Sequence, residues 1–255
     1  MLKCFFSVGM SLMLALVAVE NVAAQSKEAA PSKQAVDDKN AREYSDRAAE
    51  ASKVLTEIMN VPETSIPEDL MARAHGIAVI PHVVKGAFGL GGQWGKGLMS
   101  QRREDGSWST PSFIEIGGGS FGLQIGVQAS DVVLVFTDET GIKGLLKSKL
   151  KLGADASVAA GPVGRKAEVG TDAALRSGIF AYSRSKGLFA GIALDGSVIS
   201  IDDSANRRVY GKAATGEQIL LGKAVSPNAT VEPFLKSLQM VSPPHVHTNK
   251  TTKSN

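Results

Sequence analysis

The feature that most constrains this chain is its glycine-rich middle. From Gly86 to Ile201 apolar residues tend to alternate with polar or small ones, and glycine punctuates the pattern. Leu123, Ile125 and Val127, for instance, alternate with Gln124, Gly126 and Gln128. A period of two sends successive side chains to opposite faces of a strand, so this stretch reads as β-structure. Candidate strands cover 112–116, 123–128, 132–136, 152–159, 179–183, 188–194 and 198–201, after a buried-strand run at 77–80. Asp105-Gly106 and Asp195-Gly196 mark hairpin turns, where glycine supplies the positive φ. The chain has 27 glycines in 255 residues but only 5% aromatics. That combination suits turns and strands whose backbones approach closely.

Helical patterns flank this middle. Residues 37–60 contain neither glycine nor proline. Tyr44, Ala48, Ala51, Leu55, Ile58 and Met59 recur there at three- and four-residue spacing, which gives one apolar stripe. Pro62 stops that helix. A shorter one starts at 66–70, with Pro67 early and Glu68 and Asp69 in the first turn. Helical texture returns at 206–222 and 229–239. The expected fold class is therefore α+β: N-terminal helices, a glycine-rich, mostly antiparallel sheet that can close toward a barrel, and C-terminal helices.

The N-terminus reads as an export signal. Lys3 precedes an uncharged, mostly apolar run from Cys4 to Val19, and Val22-Ala23-Ala24 offers short residues before a cleavage point. The run is shorter than the ~18 residues of a spanning helix, which ranks a retained anchor second. The expected organisation is a signal peptide at 1–24, a linker at 25–40, a domain at 41–240 and a flexible tail at 241–255. The expected location is exported, in the periplasm or cell envelope. Composition removes several classes. With 43% hydrophobic and 21% charged residues the chain is not a disordered one, and a mean hydropathy of +0.01 excludes a polytopic membrane protein. A net charge of +3 implies no broad nucleic-acid footprint. The one cysteine, Cys4, leaves no disulfide framework and no Cys-rich metal site.

Several motifs suggest chemistry, and their contexts argue against it. Gly118-Gly119-Ser120-Phe121-Gly122 satisfies the G-x-S-x-G nucleophile pattern, but that elbow needs a helix after it, and the residues that follow alternate as a strand. Gly117, Gly119 and Gly122 match a dinucleotide loop and meet the same objection. A glycine-rich turn or bulge is the better reading. His245 and His247 lie in the expected tail with no carboxylate or thiol beside them. His75 and His82 flank the 77–80 strand and read as structural. Asp202-Asp203, between a strand and a helix, reads as a cap. Asn228 and Asn249 head glycosylation sequons. No cofactor, metal site or catalytic residue is expected. Lys96-Gly97-Leu98-Met99 and Lys186-Gly187-Leu188-Phe189 are each followed, at the same spacing, by Asp-Gly-Ser. The repeat suggests two equivalent strand-turn-strand units.

The basic residues give the candidate site. Residues 140–166 hold Lys143, Lys147, Lys149, Lys151, Arg165 and Lys166 against one acid, Asp155. Ile142, Leu145, Leu146 and Leu150 sit at helical spacing, with Lys143 and Lys147 on another face. The segment reads as a short basic amphipathic helix suited to an anionic membrane surface or a partner, or else as a solvated helix face.

Ordered motifs along the chain carry a resemblance. They are Ile66-Pro67 with Ala74-His75-Gly76-Ile77-Ala78-Val79-Ile80-Pro81; Gly95-Lys96-Gly97; Asp105-Gly106-Ser107-Trp108-Ser109-Thr110-Pro111-Ser112-Phe113; Gly119-Ser120-Phe121-Gly122-Leu123-Gln124-Ile125-Gly126; Gly161-Pro162-Val163-Gly164-Arg165; and Tyr182-Ser183-Arg184-Ser185-Lys186-Gly187-Leu188-Phe189-Ala190-Gly191. Together they resemble the SYLF lipid-binding domain family, whose yeast members are actin regulators, over 41–239. The resemblance implies a non-enzymatic domain that binds phospholipids and, in yeast, actin filaments. Of the six candidate basic residues the motifs include only Arg165. No SH3 domain is expected after Gln239, and the export signal fits bacterial secreted members. The expected partner is then anionic phospholipid or a membrane surface, with an envelope scaffold related to the actin-binding regulators as the alternative.

Overall fold

A computed structural model describes residues 33–88, 90–120, 126–147, 149–164, 177–185, 187–222 and 225–242. The chain divides into two units, residues 1–39 and 40–255. The described part of the first unit, 33–39, is helical. The expected signal at 1–24, the linker as far as residue 32 and the tail from 243 lie outside the described residues.

Helix α1 spans Lys33–Asn60 and so begins inside the segment expected as linker. Residues 33–40 carry no glycine or proline that would stop a helix there. From Tyr44 onward its stripe is buried: Tyr44, Ala48, Ala51, Leu55 and Ile58, joined by Val54. Helix α2, Glu68–Ala72, follows Pro67 and carries Glu68 and Asp69 in its first turn.

The centre is a nine-stranded sheet, curled as a half-barrel. Its strands are β1 Gly76–Phe88, β2 Leu90–Gln101, β3 Ser112–Ser120, β4 Gly126–Phe136, β5 Lys149–Lys151, β6 Val158–Ala160, β7 Ile179–Ser185, β8 Leu188–Gly191 and β9 Val198–Ile201. Their order is β5-β9-β3-β2-β1-β4-β7-β6, with β8 also on β7. Every pairing is antiparallel except β6 with β7. Strands β1 to β3 form a meander and β4 returns beside β1, which is the Greek-key order. The remaining helices among the described residues are α3 Glu139–Leu146, α4 Asp203–Tyr210, α5 Gly216–Leu220 and α6 Glu232–Val241.

Alternation along the strands builds a core on each side of the sheet. On the first face Val79, Leu98, Phe113, Val133 and Tyr182 pack against α1, Ala205 of α4 and Phe234 of α6. On the second face Ile80, Met99, Ile116, Val132 and Ile199 pack against Ile142 and Leu145 of α3 and against Leu150. Where β1 crosses β2, a Cβ at Gly97 would lie 2.1 Å from the Val79 carbonyl oxygen, so only glycine fits there.

The strand expected at 152–159 is absent as one element, since β5 ends at Lys151 and β6 starts at Val158, and three further expectations need correction. Strand β1 does not stop near Ile80 but runs on to Phe88. It does so through a bulge at Pro81-His82 that shifts the register with both neighbours and puts His82 at φ 51. The basic segment is not one helix. Helix α3 ends at Leu146, and Leu150 reaches the same core from strand β5. The two Asp-Gly turns are locally alike, with Gly106 and Gly196 both at φ 81. Only the first closes a hairpin, because β8 pairs with β7 while β9 pairs with β3 and β5.

Candidate functional site

The basic segment divides between the two faces of the sheet. Lys143 lies on α3, which covers the second face; it is exposed, and its Nζ sits 2.6 Å from Glu139. The Lys143 side chain, by hydrogen bond and then by charge, holds the Glu139 carboxyl below its usual range. Lys147 caps the C-terminus of α3, where a cation complements the helix dipole, and it is exposed. Lys149 and Lys151 are exposed on β5 while Leu150 between them is buried in the second-face core. Alternation therefore puts both lysines on the first face. Among the described residues Lys147, Lys149 and Lys151 form no ion pair. Arg165 and Lys166 lie outside the described residues.

The sheet register shows what accompanies Lys149 and Lys151. Lys151 pairs with Val198, Val198 with Gly117, Gly117 with Trp94, Trp94 with Val84, and Val84 with Ala129. Directly paired residues project from the same face. The row thus runs from a lysine through apolar or absent side chains across six strands. The next row inward is Lys149, Ser200, Glu115 and Lys96, with the Ser200 hydroxyl donating to Glu115 at 3.2 Å. Trp94 is 54% exposed and Val84 41%. The Lys96 Nζ stands 5.5 Å from the Trp94 ring centroid, within cation–π range. Sequence reading missed Trp94; the signal available was an aromatic residue set among glycines on a strand. Next to Lys151 an open pocket of about 440 Å3 is lined by Leu152, Gly153, Ala154, Asp195, Gly196 and Val198.

Two polar clusters fix this face to its helices. Asp131, at the β1 bulge, accepts the His82 backbone N–H at 3.0 Å. It also accepts Arg184 Nε and Nη2, each at 2.7 Å. Arg184 extends to Glu57 of α1 and stacks on Phe189. The second cluster is at Asp202, which caps α4 by accepting the Ala205 N–H, as expected for a cap. Burial pushes the Asp202 carboxyl up. The Ala205 N–H, the Ser204 hydroxyl, Lys96 and Arg47 outweigh that and hold it below the ordinary range.

The motifs that suggested chemistry have structural places. Ser120 is the last residue of β3, paired with Gly91, and the next helix among the described residues comes only after β4. Gly117 and Gly119 are ladder residues opposite Trp94 and Gly92; Gly122 lies outside the described residues, as do His245, His247 and Asn249. The Asn228 amide is used within the fold, donating to the Val209 carbonyl and accepting the Thr230 N–H. Among the described residues no three side chains form a metal-binding cluster, and no helix is long and apolar enough to cross a membrane.

Fold and surface define the class: an α+β domain on a curled Greek-key sheet, with Lys149 and Lys151 exposed on the sheet and Lys147 exposed at the end of α3. Residues 117–241 match the family described as Ysc84: Las17-binding protein actin regulator. Protein YSC84 of Saccharomyces cerevisiae is 39% identical over 177 residues, which is 68% of this chain and 37% of that protein. LAS seventeen-binding protein 3 of the same yeast is 37% identical over 177 residues, 68% of this chain and 38% of that protein. SH3 domain-containing YSC84-like protein 1 of Xenopus laevis is 36% identical over 199 residues, 76% of this chain and 58% of that protein. The chain belongs to the Ysc84/SYLF domain family. It spans 37 to 58% of the length of these relatives.

Proposed function

We propose that this chain is a non-catalytic domain that associates with anionic membrane surfaces, exported through residues 1–24 to the cell envelope. The observation that carries the reading is the exposed pair Lys149 and Lys151 on the first sheet face, with Lys147 exposed at the end of α3, in a run with no acidic residue from 140 to 154. Each cation held near anionic lipid contributes about 1 kcal/mol, so a group of this size gives salt-sensitive association. Arg165 and Lys166 extend the same run in sequence. The absence of catalysis rests on the sequence after Ser120, which alternates as a strand where a nucleophile elbow needs a helix.

The test is sedimentation of the chain with vesicles of phosphatidylcholine, alone or with phosphatidylserine. Binding should require the anionic lipid and fall as salt rises. Lys149→Glu with Lys151→Glu should weaken it more than tenfold, since two lost attractions are worth about 2 kcal/mol before any repulsion. Lys143→Glu with Lys147→Glu should cost less, because Lys143 is already paired with Glu139. No sedimentation with anionic vesicles at low salt would remove the reading. A second reading, association with a protein of the actin machinery, is favoured by relatives named as Las17-binding proteins.

A further inference from the structure

We propose that the outer half of the first sheet face, centred on Trp94, enters the interfacial zone of an anionic bilayer. This deepens the membrane reading above and rests on it. Trp94 is more than half exposed, and no other aromatic side chain among the described residues is among the exposed large apolar groups. Its cross-strand neighbour Val84 is also exposed, and Ala129 continues the row. A tryptophan combines an apolar body with a polar N–H, which suits the boundary between headgroups and acyl chains.

The order of the rows selects a bilayer over an acidic protein. The outer row carries Val198, Trp94, Val84 and Ala129, with Lys151 at its end. The next row carries Lys149 and Lys96, and its one acid, Glu115, accepts the Ser200 hydroxyl. Two residues along a strand separate the rows by about 7 Å. An apolar band with cations about 7 Å behind it matches a surface that buries about 5–10 Å into the boundary while its lysines stay level with the phosphates. An acidic protein would answer the lysines but would leave the exposed tryptophan and valine without a counterpart.

The chain's two tryptophans make the test direct. Trp108 is 4% exposed and serves as an internal reference. With vesicles containing phosphatidylserine, Trp94 emission should move to shorter wavelength and be quenched by brominated acyl chains. With phosphatidylcholine alone it should not change. Trp94→Ala should abolish the shift, leave thermal unfolding close to the parent and lower vesicle partition roughly tenfold or more. Tenfold is the worth of withdrawing about 60 Å2 of apolar surface from water. Trp94→Phe should restore most of the partition. If the chain sediments with anionic vesicles while Trp94 stays open to acrylamide, this face is refuted and the broader membrane reading survives. If it does not sediment, both fall. Protection of Trp94 by polyglutamate but not by vesicles would assign the face to an acidic protein and overturn the proposal.

Discussion

Asp131→Ala tests how the β1 bulge is held. Asp131 is 7% exposed, and its carboxylate accepts the His82 N–H at 3.0 Å and two Arg184 nitrogens at 2.7 Å. Removing it strands a guanidinium whose side chain is 21% exposed and leaves His82 at positive φ without its anchor. Breaking a fully buried pair costs about 3–5 kcal/mol. Arg184 is partly solvated and keeps Glu57, so the expected loss is smaller, about 2–4 kcal/mol. That is a large share of a typical stability of about 5–15 kcal/mol. Chemical denaturation followed by circular dichroism reads it as a lower midpoint with an unchanged slope. Asp131→Asn, which keeps the shape and one acceptor, should lose less. Arg184→Met combined with Asp131→Ala should cost less than the two single changes added, because no stranded charge remains. A stability for Asp131→Ala within about 0.5 kcal/mol of the parent, the range of an ordinary surface change, would refute this account of the cluster.

Gly97→Ala should destabilise by about 3 kcal/mol or prevent folding, seen as a fall in Tm, because its Cβ would lie 2.1 Å from a backbone oxygen inside the sheet. Asp202 gives an acid dependence. Its folded pKa is lowered, so the stabilisation it provides is present at neutral pH and is lost as pH falls below roughly 4 toward the folded value. Asp202→Asn should flatten the decline of Tm between pH 5 and pH 2, and an unchanged slope would count against the assignment.

Local features were legible in the sequence because local physics decides them. Strand β9 spans the residues the alternation marked, α2 follows Pro67, and the stripe from Tyr44 to Ile58 is buried. The helical texture at 206–222 broke into α4 and α5 around Gly211, at φ 102. Leu150 misled for a physical reason: it is buried with Ile142 and Leu145, and burial at that spacing reads the same from a helix or from a helix followed by a strand. The bulge at Pro81-His82 is held by Asp131, 49 positions away from His82, and no local pattern announces such a partner. The candidate face was least legible. Lys149, Lys151 and Trp94 are brought together only by the β5-β9-β3-β2 register, which is a property of pairing rather than of any window of sequence.

The insertion of β9 between β3 and β5 has a consequence for how the chain folds. Strands β1 to β3 meet through short connections and need no distant partner. The contacts made by β9 close much longer loops: Ser200 with Glu115 spans 85 positions, and Gln93 with Ser197 spans 104. Loop closure on that scale is entropically costly and slows pairing. During synthesis the tryptophan and the two β5 lysines would emerge well before the strand that aligns them. The face they share is therefore a late product of folding, assembled only when β9 docks. A nascent or partly folded chain carries each of its residues but not the surface they form.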